Sequence, residues 1–286
     1  MYTLSLICQQ KNEAMNLKEF IDHYKWQGVE HIYLIDNGST DNFKDILGEY
    51  GDYVTLFDRP TAHKQEQNYN EIFNSTIKNE SKWLIVLDLD EFMFTTSVSN
   101  IKEYLKDKDE YSCIYVGGYN FGSRYEYEHP SSVREAFIRR EPSVSGVKGI
   151  VQCRFTHHLG IHYHQHSPNT KPLSDETNIK FNHYVIQSKE YFDKVKRTRG
   201  DAINADTDKL RDDTYFNGFD RREVEDTTLR DLIKGGVDSS DNLSTFILSN
   251  LDYDFIVSDS FFKIMNRNMI FLLIIIILLN FFAFLY

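Results

Sequence analysis

The first ninety residues repeat one pattern: a short apolar run, a polar cluster at its end, then an amphipathic segment. That repetition limits the chain to a few architectures. "YTLSLIC" reads as a strand and "NLKEFIDHYKWQG" as a helix, with Leu17, Phe20, Ile21 and Tyr24 on one face, Asn16 as its cap and Gly28 as its stop. "HIYLID" is a second strand, "TDNFKDILG" a short helix ending at Gly48, and "YVTLFDR" a third strand. "QEQNYNEIFNSTIK" places Tyr69, Ile72, Phe73 and Ile77 on one helical stripe, and "KWLIVLD" is the fourth strand. Strands and helices alternating at this spacing build βαβ units, so the expected fold class is α/β, Rossmann-like, with a mainly parallel central sheet. Ligands of such sheets collect beyond the carboxyl ends of the strands. The clusters "QQKNE", "DNGSTD" and "DLDE" each lie just past such an end, so a single site is expected there.

The end of the fourth strand is the sharpest of these. Asp88 and Asp90 stand two residues apart, and on an extended chain they would point the same way and converge. Like charges at that distance are costly unless a cation joins them. Oxygen ligands with no nearby cysteine suit Mg²⁺ or Mn²⁺, and a hydrogen-bonded structural cluster is the alternative. In "HHLGIHYHQH", His162, His164 and His166 would share a face of an extended segment, where zinc, an acceptor or phosphate contact, or simple packing would each account for them. Lys148, Lys194, Arg197 and Arg199 are cations that could neutralise a departing phosphate or merely form a solvated face. Gly117, Gly118 and Gly122 suit either a ligand's close approach or turns. No Gly-rich phosphate loop of the Gly-x-x-x-x-Gly-Lys or Gly-x-Gly-x-x-Gly kind occurs.

At 286 residues and 41% apolar the chain can bury one large core with an appendage. Its net charge of −11 argues against nucleic acid as the main partner, though a divalent cation would reconcile it with a phosphorylated small ligand. Cys8, Cys113 and Cys153 form neither a disulfide framework nor a Cys-x-x-Cys site. Sequons begin at Asn37, Asn74, Asn79 and Asn242, and a glycan on Asn37 would block the expected ligand loop. Both observations favour a reducing, cytosolic setting. The run "MIFLLIIIILLNFFAFLY", interrupted only by Asn280, is long enough to cross a bilayer. Lys263 and Arg267 just before it would keep the main domain on the cytoplasmic side. The expected organisation is a domain over 1–204, a polar extension over 205–265, and a C-terminal transmembrane helix over 266–286 that anchors the chain to a membrane.

"CQQKNEAMNLKEFIDHYKWQGVEHIYLIDNGSTDN" followed by "DLDEF" resembles the start and the Asp-x-Asp of GT-A glycosyltransferases, in particular the family 2-like and family 92-like enzymes. The likeness continues through "YNFGSRYEYEHPSSVREAFIRR", "GVKGIVQ" and "KFNHYVIQSKEYFDKVKRTRG", and so covers roughly residues 3 to 201. It implies a GT-A fold in which Asn12, Glu13 and Asp36 face nucleobase and ribose, with Lys64, Gln67 and Asn68 near the nucleotide or diphosphate. For Asp36 a turn role stays open, with Asp41 as a cap of the following helix. The resemblance makes Asp90 a metal ligand, Asp88 a ligand to the metal or a contact to ribose, and His183 the third metal ligand, with Lys148 among the donor-binding residues. The implied reaction is metal-dependent, with Mn²⁺ or Mg²⁺, and moves a sugar from a nucleotide-diphospho-sugar to a carbohydrate or glycoconjugate hydroxyl with inversion. A UDP-sugar is the expected donor, and galactose the sugar the family suggests. Glu91 and Asp201 are the candidate bases, beside Glu135 and Glu141. Two rivals stand: a metal-dependent nucleotidyltransferase or phosphohydrolase, and a non-catalytic sugar-nucleotide-binding protein.

Overall fold

A computed structural model describes residues 1–123, 127–199, 211–221 and 223–235. Asp201 and the expected membrane helix lie outside the described residues, among which no helix is long and apolar enough to cross a membrane. Strands β1 (Tyr2–Gln10), β2 (His31–Asp36), β3 (Val54–Asp58) and β4 (Ser81–Asp88) alternate with helices α1 (Ala14–Trp26), α2 (Phe43–Leu47) and α3 (Gln65–Ile72). All four strands are parallel, with β1 between β2 and β4 and with β3 outside β2. α3 runs on through a π-turn (Phe73–Ile77) into the short α4 (Lys78–Glu80). The predicted stripe of Tyr69, Ile72, Phe73 and Ile77 is buried, packed on Ile7, Ile35, Leu84 and Val86 of the sheet.

Two local expectations change. Asn16 does not cap α1 but lies inside it, buried; the helix starts at Ala14, whose N–H donates to Asp41 Oδ2 at 2.8 Å. Asp41 therefore caps the helix before it in sequence, because the loop after β2 folds back over the end of β1. Gly28, at φ +80°, does stop α1, in a conformation that favours glycine.

The second half departs from simple βαβ winding. After β4 come β5 (Glu91–Thr95), α5 (Ile101–Tyr104), β6 (Tyr111–Asn120), α6 (Val133–Ala136), β7 (Arg139–Arg140) and β8 (Gly146–Gln152). Then follow β9 (Thr156–His158), β10 (Gln165–His166), β11 (Lys171–Asp175), β12 (Ile179–His183), α7 (Lys189–Lys194), α8 (Asp213–Phe219), β13 (Val224–Glu225) and α9 (Thr228–Gly235). The main sheet runs β3-β2-β1-β4-β8-β6-β12-β5, with β11 against β6. β8 is antiparallel to both of its neighbours and β12 to β5, so the fold is mixed α/β. The compact unit extends from Met1 to Val237, past the boundary expected at 204. Helix α8 explains why: its Phe216 closes a cluster with Val185, Ile186 and Phe192. The three cysteines are buried and unpaired.

The glycines near the end of β6 make room for the protein's own chain. A Cβ on Gly118 would stand 2.1 Å from the Phe181 ring, and one on Gly122 2.1 Å from the Arg221 carbonyl oxygen.

Candidate active site

The acidic cluster is built by a reversal of the chain rather than by one extended strand. β4 ends at Asp88, Leu89 and Asp90 form a turn, and β5 starts at Glu91, so the two aspartates do not stand at i and i+2 of one strand as expected. The Tyr24 hydroxyl ties the start of β5 to α1, donating to the Glu91 carbonyl at 2.8 Å and accepting from Met93 N–H at 2.9 Å. β12 pairs with β5 in the register His183 to Glu91, and Tyr184 N–H donates to the Asp90 carbonyl at 2.9 Å. Sheet pairing thus delivers His183 to the acidic turn from more than ninety residues away.

Each carboxylate has a built-in partner. From β8, the buried Lys148 Nζ donates to Asp88 Oδ2 at 2.6 Å and lies 3.1 Å from Glu91 Oε2. Asp88 Oδ1 accepts from Gln65 Nε2 at 2.8 Å, and Glu91 Oε2 also accepts from Asp88 N–H at 2.9 Å. Asp90 is held by the ammonium of Lys196, and its Oδ1 is 3.6 Å from His183 Nε2. Glu13 is paired with Arg199 and accepts from the Tyr191 hydroxyl at 2.7 Å.

Burial pushes the Asp88 and Asp90 carboxyls up, but their cations outweigh it. Lys148 carries Asp88 below its ordinary value, and Lys196 with His183 carries Asp90 well below. For Glu91 burial wins over Lys148 and its pKa is raised. His183 goes the other way from its own burial: Asp90 and Glu91 raise it, so its charged form is favoured.

These groups open on a pocket of about 440 Å³ at the carboxyl ends of β1, β2 and β4. Asp88, Asp90, Glu91, Glu13 and His183 line it, together with Gln9, Gln10, Asn37 and Gln65. Lys196, Arg199 and Arg211 bring cations to the same lining, with Tyr215 also part of it. Lys148 stands behind the lining. Asn12, Asp36, Lys64, Gln67 and Asn68 are also not among the lining residues. Asn12 Oδ1 accepts from Thr40 N–H at 2.7 Å, and Asp36 Oδ1 from Gln10 Nε2 at 2.9 Å and Ser39 N–H at 3.0 Å, which is the turn role left open for it. Asn68 Nδ2 donates to Gln9 Oε1 at 2.8 Å, exposed Gln67 bonds Glu71, and Lys64 precedes the first turn of α3. Asn37 Nδ2 is engaged by the carbonyls of Arg59 and Thr61, which leaves this sequon closed to a glycan.

The cations after β12 divide differently from expectation. Lys194 and Arg197 pair on the surface with Glu190, Asp193 and Asp213, whereas Lys196 and Arg199 point into the pocket. The signal was in the sequence, since Phe192, Lys196 and Arg199 continue the buried face of α7 at helical spacing. Gln65 and Arg211 carried no comparable mark. The histidines fail to share a face because only Gln165–His166 is strand: His162 reaches the pocket and lies 3.1 Å from the Val147 carbonyl. His164 is buried, its ring stacked on that of Tyr115, and His166 meets Thr156.

Among the described residues no three His, Cys, Asp or Glu side chains assemble as a metal-holding group. Asp90 Oδ1 and His183 Nε2 fit as two ligands of a divalent cation that takes its remaining ligands from a phosphorylated substrate and water. Asp88 does not complete a trio, because Gln65 and Lys148 already hold its two oxygens.

A mixed α/β sheet that brings an acidic turn and a set of basic side chains to one pocket is the class this structure defines. The chain belongs to glycosyltransferase family 92, whose model matches residues 6–232. A glycosyltransferase family 92 protein from Ricinus communis is 30% identical over 96 residues, which is 32% of this chain and 16% of that protein's length. Among solved structures, S. aureus TarS 1-349 in complex with UDP-GlcNAc is 18% identical, with a TM-score of 0.35 over 53% of this chain and 45% of that one. HddC from Yersinia pseudotuberculosis is 11% identical, with a TM-score of 0.41 over 70% of this chain and 100% of that one. Overlaps this partial assign neither ligand nor reaction to this chain.

Proposed function

We propose that the protein is a GT-A glycosyltransferase that moves a sugar from a nucleotide-diphospho-sugar, a UDP-sugar, to a hydroxyl of a carbohydrate or glycoconjugate with inversion. The observation that carries this is Arg211. Its Nη1 is buried at the pocket and has no hydrogen-bond partner among the described residues, while the pocket's carboxylates are already matched by Lys148, Lys196 and Arg199. A buried donor without a partner is costly, and an arriving diphosphate would satisfy it with the oxygens a guanidinium fork suits. Membership of family 92 supports the reaction class.

On this reading Arg211, Lys196 and Arg199 bind the diphosphate and stabilise the charge it gains as the anomeric bond breaks. Asp90 and His183 would hold Mn²⁺ or Mg²⁺, which when bound neutralises phosphate charge and polarises the leaving group. The attacking hydroxyl must lose a proton to a carboxylate. Glu91 lines the pocket with a raised pKa; its Oε2 is held by Asp88 N–H and Lys148, so its Oε1, 4.0 Å from His183 Nδ1, is the oxygen for that role.

Calorimetric titration of UDP into the full chain, with and without Mn²⁺, tests the donor. Binding that Mn²⁺ strengthens and Asp90→Ala abolishes is expected, with UDP released from a UDP-sugar once an acceptor is added. If neither UDP nor GDP binds under any metal condition, the donor assignment is wrong; binding without turnover on any acceptor leaves a sugar-nucleotide-binding protein. For the apolar run over 269–286 we propose a membrane tail with the domain on the cytoplasmic side, supported by its length and by Lys263 and Arg267 before it. Full-length chain is expected in the membrane fraction and chain lacking 269–286 in the soluble one.

A further inference from the structure

The pocket's carboxylates are matched by cations before any ligand arrives, and Lys11 and His183 add further positive charge to the lining. Glu13, Asp88, Asp90 and Glu91 stand against Lys148, Lys196, Arg199 and Arg211. Lys196 differs from the other three cations. Lys148 is locked between two carboxylates at the back of the site, and Arg199 is fixed by Glu13. Lys196 lines the pocket on the turn Lys196–Thr198 after α7, and its ammonium rests on Asp90 at Oδ2, while Oδ1 faces His183.

That contact sets a condition on any metal. A divalent ion held by Asp90 and His183 would lie beside an ammonium that has already neutralised the aspartate, and like charges at such range repel strongly in a buried site. A diphosphate changes the balance, because it brings the negative charge that both the ion and the ammonium need. The long flexible lysine stem allows its head to shift from Asp90 to a phosphate oxygen.

We infer that Lys196 is the resting counter-ion of Asp90 and couples metal binding to donor binding: it opposes a divalent ion in the donor-free protein and turns to the diphosphate when ion and donor arrive. This rests on the proposed donor and metal. Coupling of this kind is reciprocal, so UDP must tighten metal binding by the factor by which metal tightens UDP.

The experiment follows Mn²⁺ binding to the full chain by the electron paramagnetic resonance signal of the free ion, with and without UDP. Unaltered protein is expected to bind Mn²⁺ at least tenfold more tightly with UDP present. Lys196→Gln, which keeps a hydrogen bond for Asp90 but removes the charge, should bind Mn²⁺ without UDP at least tenfold more tightly than unaltered protein and lose most of the dependence on UDP. Lys196→Arg should keep the weak donor-free binding. Equal donor-free affinity in the unaltered and Lys196→Gln proteins overturns the inference. So does a Mn²⁺ affinity of the unaltered protein that UDP leaves unchanged, a result that stands even if Lys196→Gln fails to fold. Absence of Mn²⁺ binding while calorimetry still shows UDP bound overturns the metal assignment together with this inference and leaves the donor assignment standing. Absence of both overturns all three.

Discussion

Lys148 shows how one buried side chain can organise a site without facing its ligand. Its ammonium satisfies Asp88 and Glu91 at once, and those two residues flank the turn that carries Asp90. Burial alone would lower a lysine's pKa, yet the two carboxylates raise it, so the group stays charged throughout the range in which the protein folds. Lys148→Met would leave the buried Glu91 and the half-buried Asp88 with no cation between them, a loss of about 3 kcal/mol, the lower end of the usual cost of breaking a buried pair. Urea unfolding measures it. Lys194→Met, which removes a lysine paired with Glu190 on the surface, should leave the urea midpoint nearly unchanged. A loss below about 1 kcal/mol in Lys148→Met would show that the ion cluster does not support the turn. Arg211 calls for a different measurement, because its assigned partner is a ligand. Arg211→Gln should weaken UDP at least tenfold while leaving uridine unchanged, since uridine has no phosphate for the guanidinium to hold. Equal losses for both would place Arg211 on the nucleoside.

At the scale of elements, β12 decides whether the site assembles. It lies between β6 and β5, so its register sets both the position of His183 and the packing of Phe181 against Gly118. Gly118→Ala would drive a methyl into the Phe181 ring, and overpacking of that kind costs about 1–3 kcal/mol. The expected result is a lower urea midpoint with a shift in the ring signals of His183, while Gly218→Ala, with open space at its Cβ position, should leave those signals in place. Unmoved His183 signals in Gly118→Ala would show that β12 holds its register without this contact. The first four strands were legible in the sequence because parallel buried strands and amphipathic helices leave strong periodic marks, and the buried stripe of α3 was read residue by residue. The antiparallel insertion of β8 was not legible. Nothing in "GVKGIVQ" says which neighbours it will join, since pairing is decided by the whole sheet. The same limit applied to the site. Asp88, Asp90 and Glu91 stood out as a local acidic cluster, while Glu13 and His183 were named by resemblance; all five line the pocket. Lys196 could have been found from the buried face of α7, whereas Arg211 reaches the pocket through tertiary packing of a segment expected to be an extension.

For the molecule as a whole, the charge network makes stability depend on pH in two opposing directions. His164 is buried against Tyr115 and Gly149, and burial, with His166 and Lys148 nearby, holds its pKa down to about 3. The unfolded chain therefore binds a proton at this histidine from about pH 6.5 downward while the folded chain does not. Stability falls with pH across that window, and by pH 5 the loss from His164 is about 2 kcal/mol. His183 has the opposite sign. Its folded pKa is raised, so its contribution is complete below the unfolded value and fades as pH rises through the folded one. Asp88 and Asp90 are lowered, and they add a further loss only as pH falls below the ordinary carboxylate range. Glu91, whose pKa is raised by burial, takes up its proton first in the folded chain and so opposes the His164 loss as pH falls, which makes the His164 contribution one to isolate by substitution. His164→Phe keeps a flat ring against Tyr115 and cannot take up a proton. Urea unfolding at the two pH values should show that this variant loses about 2 kcal/mol less than the unaltered protein on going from pH 7 to pH 5. An unchanged difference would mean that the His164 ring meets water in solution and titrates normally, and the packing of the segment around it would then differ from that described.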